Sequence, residues 1–143
     1  MTKDERAKKA REKIDMKYIE DGAGKIDGDD MEKVVRKADE IKYKFESKGP
    51  LHRFLKDFRL LIQLVRDYWS NRYRAIPWWA ISGIVFALLY VLNPADLLPD
   101  FIPGLGYMDD AMVVSLCLMM IERELEKYND WKRETRRSSS ENG

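Results

Sequence analysis

Four aspartates, Asp96, Asp100, Asp109 and Asp110, lie within the stretch "NPADLLPDFIPGLGYMDD", which contains no Lys or Arg. Converging carboxylates suit Ca²⁺ or Mg²⁺, because these cations prefer oxygen ligands. The aspartates also suit a structural role, since Asp109 or Asp110 comes directly before an apolar run. A carboxylate there can accept hydrogen bonds from the free backbone N–H groups of a helix start. We favour the structural role, because spacing within a bend does not establish convergence.

The chain offers few other residues for chemistry. His52 is the only histidine, which argues against a His-based zinc site and against Ser-His or Cys-His nucleophile pairs. Cys117 is the only cysteine and lies within an apolar run, so we interpret it as a buried small hydrophobe. His52 stands beside Arg53 and is expected at the surface. We therefore expect no catalytic residues, no enzyme activity, and no cofactor beyond the candidate cation.

Charge is distributed unevenly along the 143 residues. The chain has 26 basic and 25 acidic residues, a net charge of +1, so it lacks the basic field of a nucleic-acid binder. Residues 75–122 nevertheless contain no Lys or Arg, and their only acids are the four aspartates and Glu122. The charged amino terminus has no apolar core after it, which predicts a cytoplasmic start rather than a secretion signal. Polar flanks therefore enclose an apolar middle.

Periodicity predicts an all-α protein. Residues 2–20 are rich in helix formers but have a weak apolar face, which predicts a frayed, solvated helix. Residues 31–45 and 51–69 repeat apolar residues at three- and four-residue steps, which is typical of amphipathic helices. The glycine- and aspartate-rich residues 21–30 precede the first of these, with acids that suit a helix start. We divide the chain into a charged helical region (1–49), a helical domain (50–132) and a disordered tail (133–143).

Residues 78–92 and 111–121 are apolar on every face. Such a helix must be buried on all sides, and one amphipathic helix, with a second weaker one, can cover only part of two of them. We therefore expect lipid or another copy of the protein to cover the rest. The first segment with its flank, residues 75–92, would span about 27 Å, slightly short of a ~30 Å hydrocarbon core. The second, residues 111–121, is shorter still.

Flanking residues favour lipid as the covering material. Trp78 and Trp79 at one end and Tyr90 near the other resemble the aromatic belts of membrane segments. Arg72 and Arg74 precede the first apolar run, and basic flanks stay on the cytoplasmic side. We thus predict a hairpin of two apolar helices, joined by the Pro- and Asp-rich bend, inserted with both termini cytoplasmic. A spanning hairpin and a re-entrant hairpin both fit this pattern.

The stretch "YRAIPWWAISGIVFALLYVLNPADLLPDFIPGLGYMDDAMVV" resembles the YkvA-like family, small proteins built on a domain of unknown function. The resemblance covers about 40 residues and implies a multi-pass membrane association without an assigned activity. Ala95 and Leu98 depart from its pattern, since Ile is common at both positions. The matching residues are Tyr73, Pro77, Trp78, Leu89, Tyr90, Pro94, Asp96, Leu97, Pro99, Asp100, Ile102, Pro103, Gly106, Asp109 and Asp110.

These observations predict a small membrane-associated helical protein with a scaffolding or regulatory role. Its partners would be the lipid bilayer and copies of itself or other membrane proteins, with no nucleic acid. One alternative is a soluble homo-oligomeric interaction module, in which neighbouring subunits replace lipid. Another is a metal-dependent enzyme that uses the acidic bend.

Overall fold

The computed structural model describes residues 2–47, 49–93 and 109–142 of the chain. These residues form seven α-helices and one 3₁₀ turn, and no strand occurs among them. The predicted all-α class is therefore confirmed. The helices are α1 (Lys3–Ala23), α2 (Gly28–Arg36), α3 (Ala38–Glu46), α4 (Leu55–Trp69), α5 (Trp78–Leu92), α6 (Asp110–Met120) and α7 (Glu122–Asn142), and the 3₁₀ turn (Pro50–Phe54) precedes α4.

Helix α5 lies at the centre of the fold. It has no charged residue, and every residue from Ala80 to Val91 is buried. Helices α1, α2, α3, α4 and α6 all pack against it. A helix that is apolar all round needs burial on every side, and the chain's own helices supply it. This corrects the expectation that lipid or a second copy must cover α5.

The second half of α1 contacts α5, although the sequence predicted a frayed, solvated helix. Ile19 is completely buried and Ala23 is nearly so. The ring of Tyr18 meets that of Phe86 edge-on, with 5.7 Å between centroids. The prediction is correct for residues 2–11, which are exposed, and wrong for the second half. A sparse apolar face is sufficient there, because most of its contacts are with one helix, α5.

Gly22 lets α1 approach α5 closely. A Cβ atom added at Gly22 would lie 2.2 Å from Cε2 of Phe86. Phe86 is itself buried in the core, so its ring has little freedom to move away. Only glycine fits at this contact without a shift in one of the two helices.

The Gly22→Ala variant should be less stable than the wild type, although alanine is the better helix former. We expect overpacking against Phe86 to lower the free energy of unfolding by about 1–3 kcal/mol, measured by urea denaturation. Gly24→Ala is the matched control, because its nearest contact would be an ordinary 3.5 Å to the carbonyl of Asp21. Equal stability of Gly22→Ala and Gly24→Ala would contradict the close approach of α1 to α5.

The predicted amphipathic helix 31–45 is divided into α2 and α3 by a break at Lys37. The side chain of Asp27 accepts a hydrogen bond from the Asp30 backbone, and that of Asp30 accepts one from the Asp27 backbone, so α2 begins with a capping box. This confirms that acids after the glycine-rich stretch suit a helix start. The apolar face is also confirmed, since Met31, Val34, Ala38, Ile41 and Phe45 are buried.

Helix α4 has the amphipathic character that its sequence predicted. Its buried face consists of Phe58, Leu61, Ile62, Leu64 and Val65. The ring of Phe58 stacks on Phe45 of α3, with 4.8 Å between centroids. One core cluster extends from Ile19 to Tyr128 and therefore includes residues from the region before Pro50.

The second apolar run forms α6, which packs against α5. The predicted bend, residues 94–108, lies outside the described residues, so the hairpin connection stays a prediction. After Ile121 the chain continues as α7 to Asn142, where the sequence predicted a disordered tail from residue 133. Residues 133–138 are helical yet exposed. Their local composition explains this difference, because Glu and Arg are good helix formers and no Pro or Gly interrupts them.

The buried side chain of Tyr128 packs α7 against the rest of the fold. Its hydroxyl donates a hydrogen bond to Oδ2 of Asp67, at 2.5 Å. Its ring lies edge-on to Tyr73, with 5.1 Å between centroids, and also stacks with Trp131. Burial raises the pKa of Tyr128 above its ordinary value of 10.0, and the hydrogen bond to Asp67 raises it further.

The Tyr128→Phe variant should lose roughly 1.5–3 kcal/mol of stability at neutral pH, because a charged carboxylate loses its donor. Because the pKa of Tyr128 is raised in the folded protein, the stabilisation that its hydroxyl provides is fully present below pH 10.0. It is lost as the pH rises towards the pKa of the folded state. Melting temperatures of wild type and variant, recorded from about pH 8 upward, should therefore differ most at the lower pH and converge above about pH 10. A pH-independent difference would contradict a role for this hydrogen bond.

Candidate membrane-facing surface

The turn between α4 and α5 is anchored to the core. The backbone carbonyl of Asp67 accepts hydrogen bonds from the backbone N–H groups of Arg72 (2.8 Å) and Tyr73 (3.1 Å). Asn71 has a φ of 65°, a left-handed conformation that asparagine tolerates better than most residues. Tyr73 and Ile76 are buried. The turn therefore has a defined conformation, and it determines where the side chains on either side of it lie.

Large aromatic and basic side chains are exposed around this turn. Trp69 and Trp78 are each 44% exposed and Trp79 is 53% exposed. The guanidinium of Arg74 lies 4.1 Å above the ring centroid of Tyr68, whose ring centroid is 6.4 Å from that of Trp78. We name this surface the aromatic–basic corner; it consists of Tyr68, Trp69, Arg72, Arg74, Trp78 and Trp79.

The corner combines two kinds of group that bind a bilayer surface. Indole rings are amphipathic and are enriched at the boundary between lipid and water. Arginine side chains attract anionic headgroups. The guanidinium of Arg72 is also paired with Oδ1 of Asp67, at 3.2 Å, whereas the guanidinium of Arg74 lies against an aromatic ring. This arrangement is suited to binding and contains no nucleophile.

Four of the five predicted interface residues are exposed around this turn, namely Trp78, Trp79, Arg72 and Arg74, and their place at a membrane interface stays a prediction. Tyr90 differs, because it is buried near the other end of α5, with its ring 6.2 Å from that of Phe86. Burial raises the pKa of Tyr90 to about 12, with smaller contributions from nearby ionisable groups. Its hydroxyl therefore belongs to the interior of the helical unit.

The structure gives Asp109 the predicted structural role. Its Oδ1 accepts a hydrogen bond from the backbone N–H of Met112, at 2.7 Å, and so caps α6. Burial raises the pKa of the neighbouring Asp110, Lys44 lowers it, and Asp109 raises it. Asp96 and Asp100 lie outside the described residues. Within residues 2–47, 49–93 and 109–142, no group of three His, Cys, Asp or Glu side chains could hold a metal ion; a site that includes Asp96 and Asp100 stays a prediction.

The two residues considered for nucleophilic chemistry lie where the sequence placed them. His52 is exposed in the 3₁₀ turn. Cys117 is buried, and its Sγ lies 3.6 Å from the carbonyl oxygen of Gly83. Burial raises the pKa of the Cys117 thiol to about 12, so the thiol is protonated near neutral pH and is a poor nucleophile.

Sequence reasoning missed two members of the corner. Trp69 was assigned to the buried face of α4, because it follows the apolar spacing, yet it is the last residue of that helix and is partly exposed. Tyr68 was assigned to the same face and does pack against the core, but its contact with Arg74 was not predicted. The position of Trp69 at the end of α4 could have indicated that it is exposed, because the apolar face of the helix ends there.

Comparison with known proteins agrees with the sequence pattern. Residues 80–116 match a family described as "Protein of unknown function (DUF1232)". This match covers most of α5 and part of α6, together with the residues between them. Over 70 residues the chain is also 36% identical to a protein of Bacillus subtilis (strain 168) named "Uncharacterized membrane protein YkvA".

The chain contains a YkvA-like region. The aligned residues make up 49% of this chain and 66% of the Bacillus protein, just under two thirds of its length. No solved structure matches the chain significantly. The family match at residues 80–116 thus includes most of the central helix α5, and neither matching description names an activity.

The membrane-spanning part of the hairpin prediction is not supported by the helices that the structure describes. In residues 2–47, 49–93 and 109–142, none of the helices has both the length and the apolar character needed to cross a membrane. Helix α5 has 15 residues, about 22 Å at ~1.5 Å per residue, against a hydrocarbon core of ~30 Å.

Proposed function

We propose that this protein is a membrane-associated helical scaffold that binds the surface of an anionic bilayer through the aromatic–basic corner. The observation that carries the proposal is the exposure of Trp78 and Trp79, together with the cation of Arg74 on Tyr68, whose ring neighbours that of Trp78. Exposed indole rings next to cations are suited to the boundary between headgroups and acyl chains. The name of the Bacillus relative, a membrane protein, supports the same location.

Surface binding fits the packing of α5 better than insertion does. To enter the bilayer as a hairpin, α5 and α6 would have to leave α1, α2, α3 and α4, which pack against α5. That would expose the buried faces of the four helices to water, at about 25 cal/mol for each Å² of apolar surface. Binding through the corner leaves all of this packing intact.

The proposed scaffolding role rests on the helices that would stay exposed while the corner binds lipid. Helix α7 has exposed charged residues over its second half, and the first half of α1 is exposed as well. These charged helices could contact other proteins while the corner binds lipid. We propose that the protein binds the cytoplasmic leaflet, because the negative surface potential of that leaflet attracts basic residues such as those of the corner. Release from membranes by a carbonate wash is expected for surface binding, and retention would favour the inserted hairpin.

Replacing Trp78 and Trp79 together by serine should weaken binding to vesicles at least tenfold, because insertion of even about 60 Å² of indole surface contributes about 1.5 kcal/mol. Flotation with vesicles of phosphatidylcholine and phosphatidylglycerol measures this. Tyr43→Ser is the control, since Tyr43 is 73% exposed but lies on α3. Equal flotation of the double variant and the wild type would refute binding through the corner.

The Arg74→Gln variant should bind vesicles containing phosphatidylglycerol about fivefold less tightly, since a cation near an anionic surface contributes about 1 kcal/mol. Its binding to pure phosphatidylcholine should not change. Arg36→Gln removes an exposed cation from the end of α2 and is the matched control. If the two variants bind equally well, charge at the corner has no specific role.

A homo-oligomeric module is the second candidate, and exposed methionines on α6 favour it. Met112 is 38% exposed and Met119 is 59% exposed, a face that another copy could cover. Light scattering after size-exclusion chromatography separates the candidates. A stable oligomer that Met119→Lys converts to monomers, without a change in vesicle binding by the monomers, would assign this face to self-association.

A further inference from the structure

A cleft of about 570 Å³ opens between the second half of α1, the start of α5 and the end of α6. Its volume falls within the ~300–1,000 Å³ of typical small-molecule sites. Trp78 and Trp79, both part of the aromatic–basic corner, line one side of it. The remaining lining includes Met16, Glu20, Gly83 and Met120.

The lining favours an uncharged, apolar occupant. Among the described residues of the lining, Glu20 is the only charged one, and it is exposed. The hydroxyl of Ser82, also in the lining, is directed to the backbone carbonyl of Trp79, at 3.3 Å. Met16 and Met120 supply flexible thioether side chains, which adapt to irregular apolar partners. A charged or strongly hydrogen-bonding group would therefore find few partners inside the cleft.

Gly83 shows that the space beside α5 is open at this point. Among the described residues, and leaving aside the backbone of α5 itself, a Cβ atom added to Gly83 would meet no atom within 4 Å, whereas one added to Gly22 would collide with Phe86. Glycine is a poorer helix former than alanine. At Gly22 the close packing of two helices accounts for the glycine, but at Gly83 none of the described helices packs against the Cβ position.

A cation is linked to the cleft wall through two aromatic rings. The guanidinium of Arg74 lies over Tyr68, and the ring of Tyr68 lies 6.4 Å from that of Trp78, which lines the cleft. An apolar cleft and a cation within the same corner match the two parts of an anionic lipid, the acyl chain and the phosphate. Glu20 in the lining disfavours entry of the phosphate itself.

We propose that the cleft holds one acyl chain of an anionic phospholipid of the bilayer, with the lipid phosphate beside Arg74. This inference rests on the proposed membrane association and specifies how the corner holds lipid. The half-exposed rings of Trp78 and Trp79 lie at the bilayer surface, and the chain passes between them and Met16 into the space over Gly83. One lipid is thereby bound to each copy of the protein.

Methyl NMR of the full chain tests this directly. With ¹³C-labelled methionine methyl groups, titration with lysophosphatidylglycerol carrying a 12-carbon chain, kept below its micelle concentration, should shift Met16 and Met120. Met112 and Met119 should not shift, because they line a separate cleft between α1, the 3₁₀ turn and α6. Glycerophosphoglycerol, the same headgroup without a chain, should shift neither pair. Shifts confined to Met112 and Met119, or equal shifts with the chain-free headgroup, would overturn the proposal.

Filling the cleft provides the second measurement. Gly83→Phe should weaken binding of the 12-carbon lysolipid about tenfold, which is the loss expected for about two buried methylene groups. Gly28→Phe is the matched control, because it adds the same ring at a glycine outside the cleft where an added Cβ also meets nothing within 4 Å, and its lysolipid affinity should match the wild type. Unchanged lysolipid affinity of a folded Gly83→Phe variant would overturn the proposal.

The two proposals fail in different ways. A protein that floats with vesicles but shows no shift of Met16 and Met120 refutes the acyl-chain cleft and leaves surface binding intact. If the methionine signals shift but the protein does not float, membrane association is refuted, and with it the bilayer as the source of the lipid. The methyl titration needs no variant, so it remains decisive if Gly83→Phe does not fold.

Discussion

The burial of α5 is the constraint on which the rest of the fold depends. This helix has no charged residue, and its segment from Ala80 to Val91 is removed from water by the other helices. Helices α2, α3 and α4 supply amphipathic faces, α6 supplies an apolar one, and α1 contributes small side chains that permit a close approach. A short chain thus buries a helix that would otherwise need lipid.

Small residues decide how completely the surroundings of α5 are filled. Gly22 brings the backbone of α1 against Phe86, and no room for a side chain remains there. Gly83, in α5 itself, has no such neighbour and leaves an open cleft beside two exposed tryptophans. The same residue type therefore allows close helix packing in one place and borders an open cleft in another.

The surface proposed to bind lipid depends on the anchoring of the turn before α5. Asp67 is central to this anchoring, since its backbone carbonyl holds the turn and its carboxylate binds both Arg72 and Tyr128. Tyr128 also fastens α7, so the turn and the carboxyl-terminal helix share one buried contact. Arg72, which a sequence reader would count as a free cation, is partly neutralised by this carboxylate. Arg74 is stacked on Tyr68 instead and is the better candidate for a phosphate.

Much of the local structure could be predicted from the sequence. The apolar positions of α2, α3 and α4, the capping role of Asp109 and the burial of Cys117 all depend on a few neighbouring residues, so spacing alone indicated them. The exposure of Trp78, Trp79, Arg72 and Arg74 also fits the local pattern, while their place at a membrane interface stays a prediction. Tyr90 was an exception, because its burial depends on contacts with Phe86 and other residues of the core.

By itself, the sequence determined that the protein is helical, which helix is uncharged, and that aromatic and basic residues adjoin its start. These properties follow from residue type and period. Only the tertiary structure decided what covers α5, because the faces that bury it come from segments far along the chain and are individually weak in pattern, as in α1. The open space at Gly83 was also decided only by the tertiary structure. A cleft depends on how three helices pack together, and it leaves no periodic pattern in the sequence.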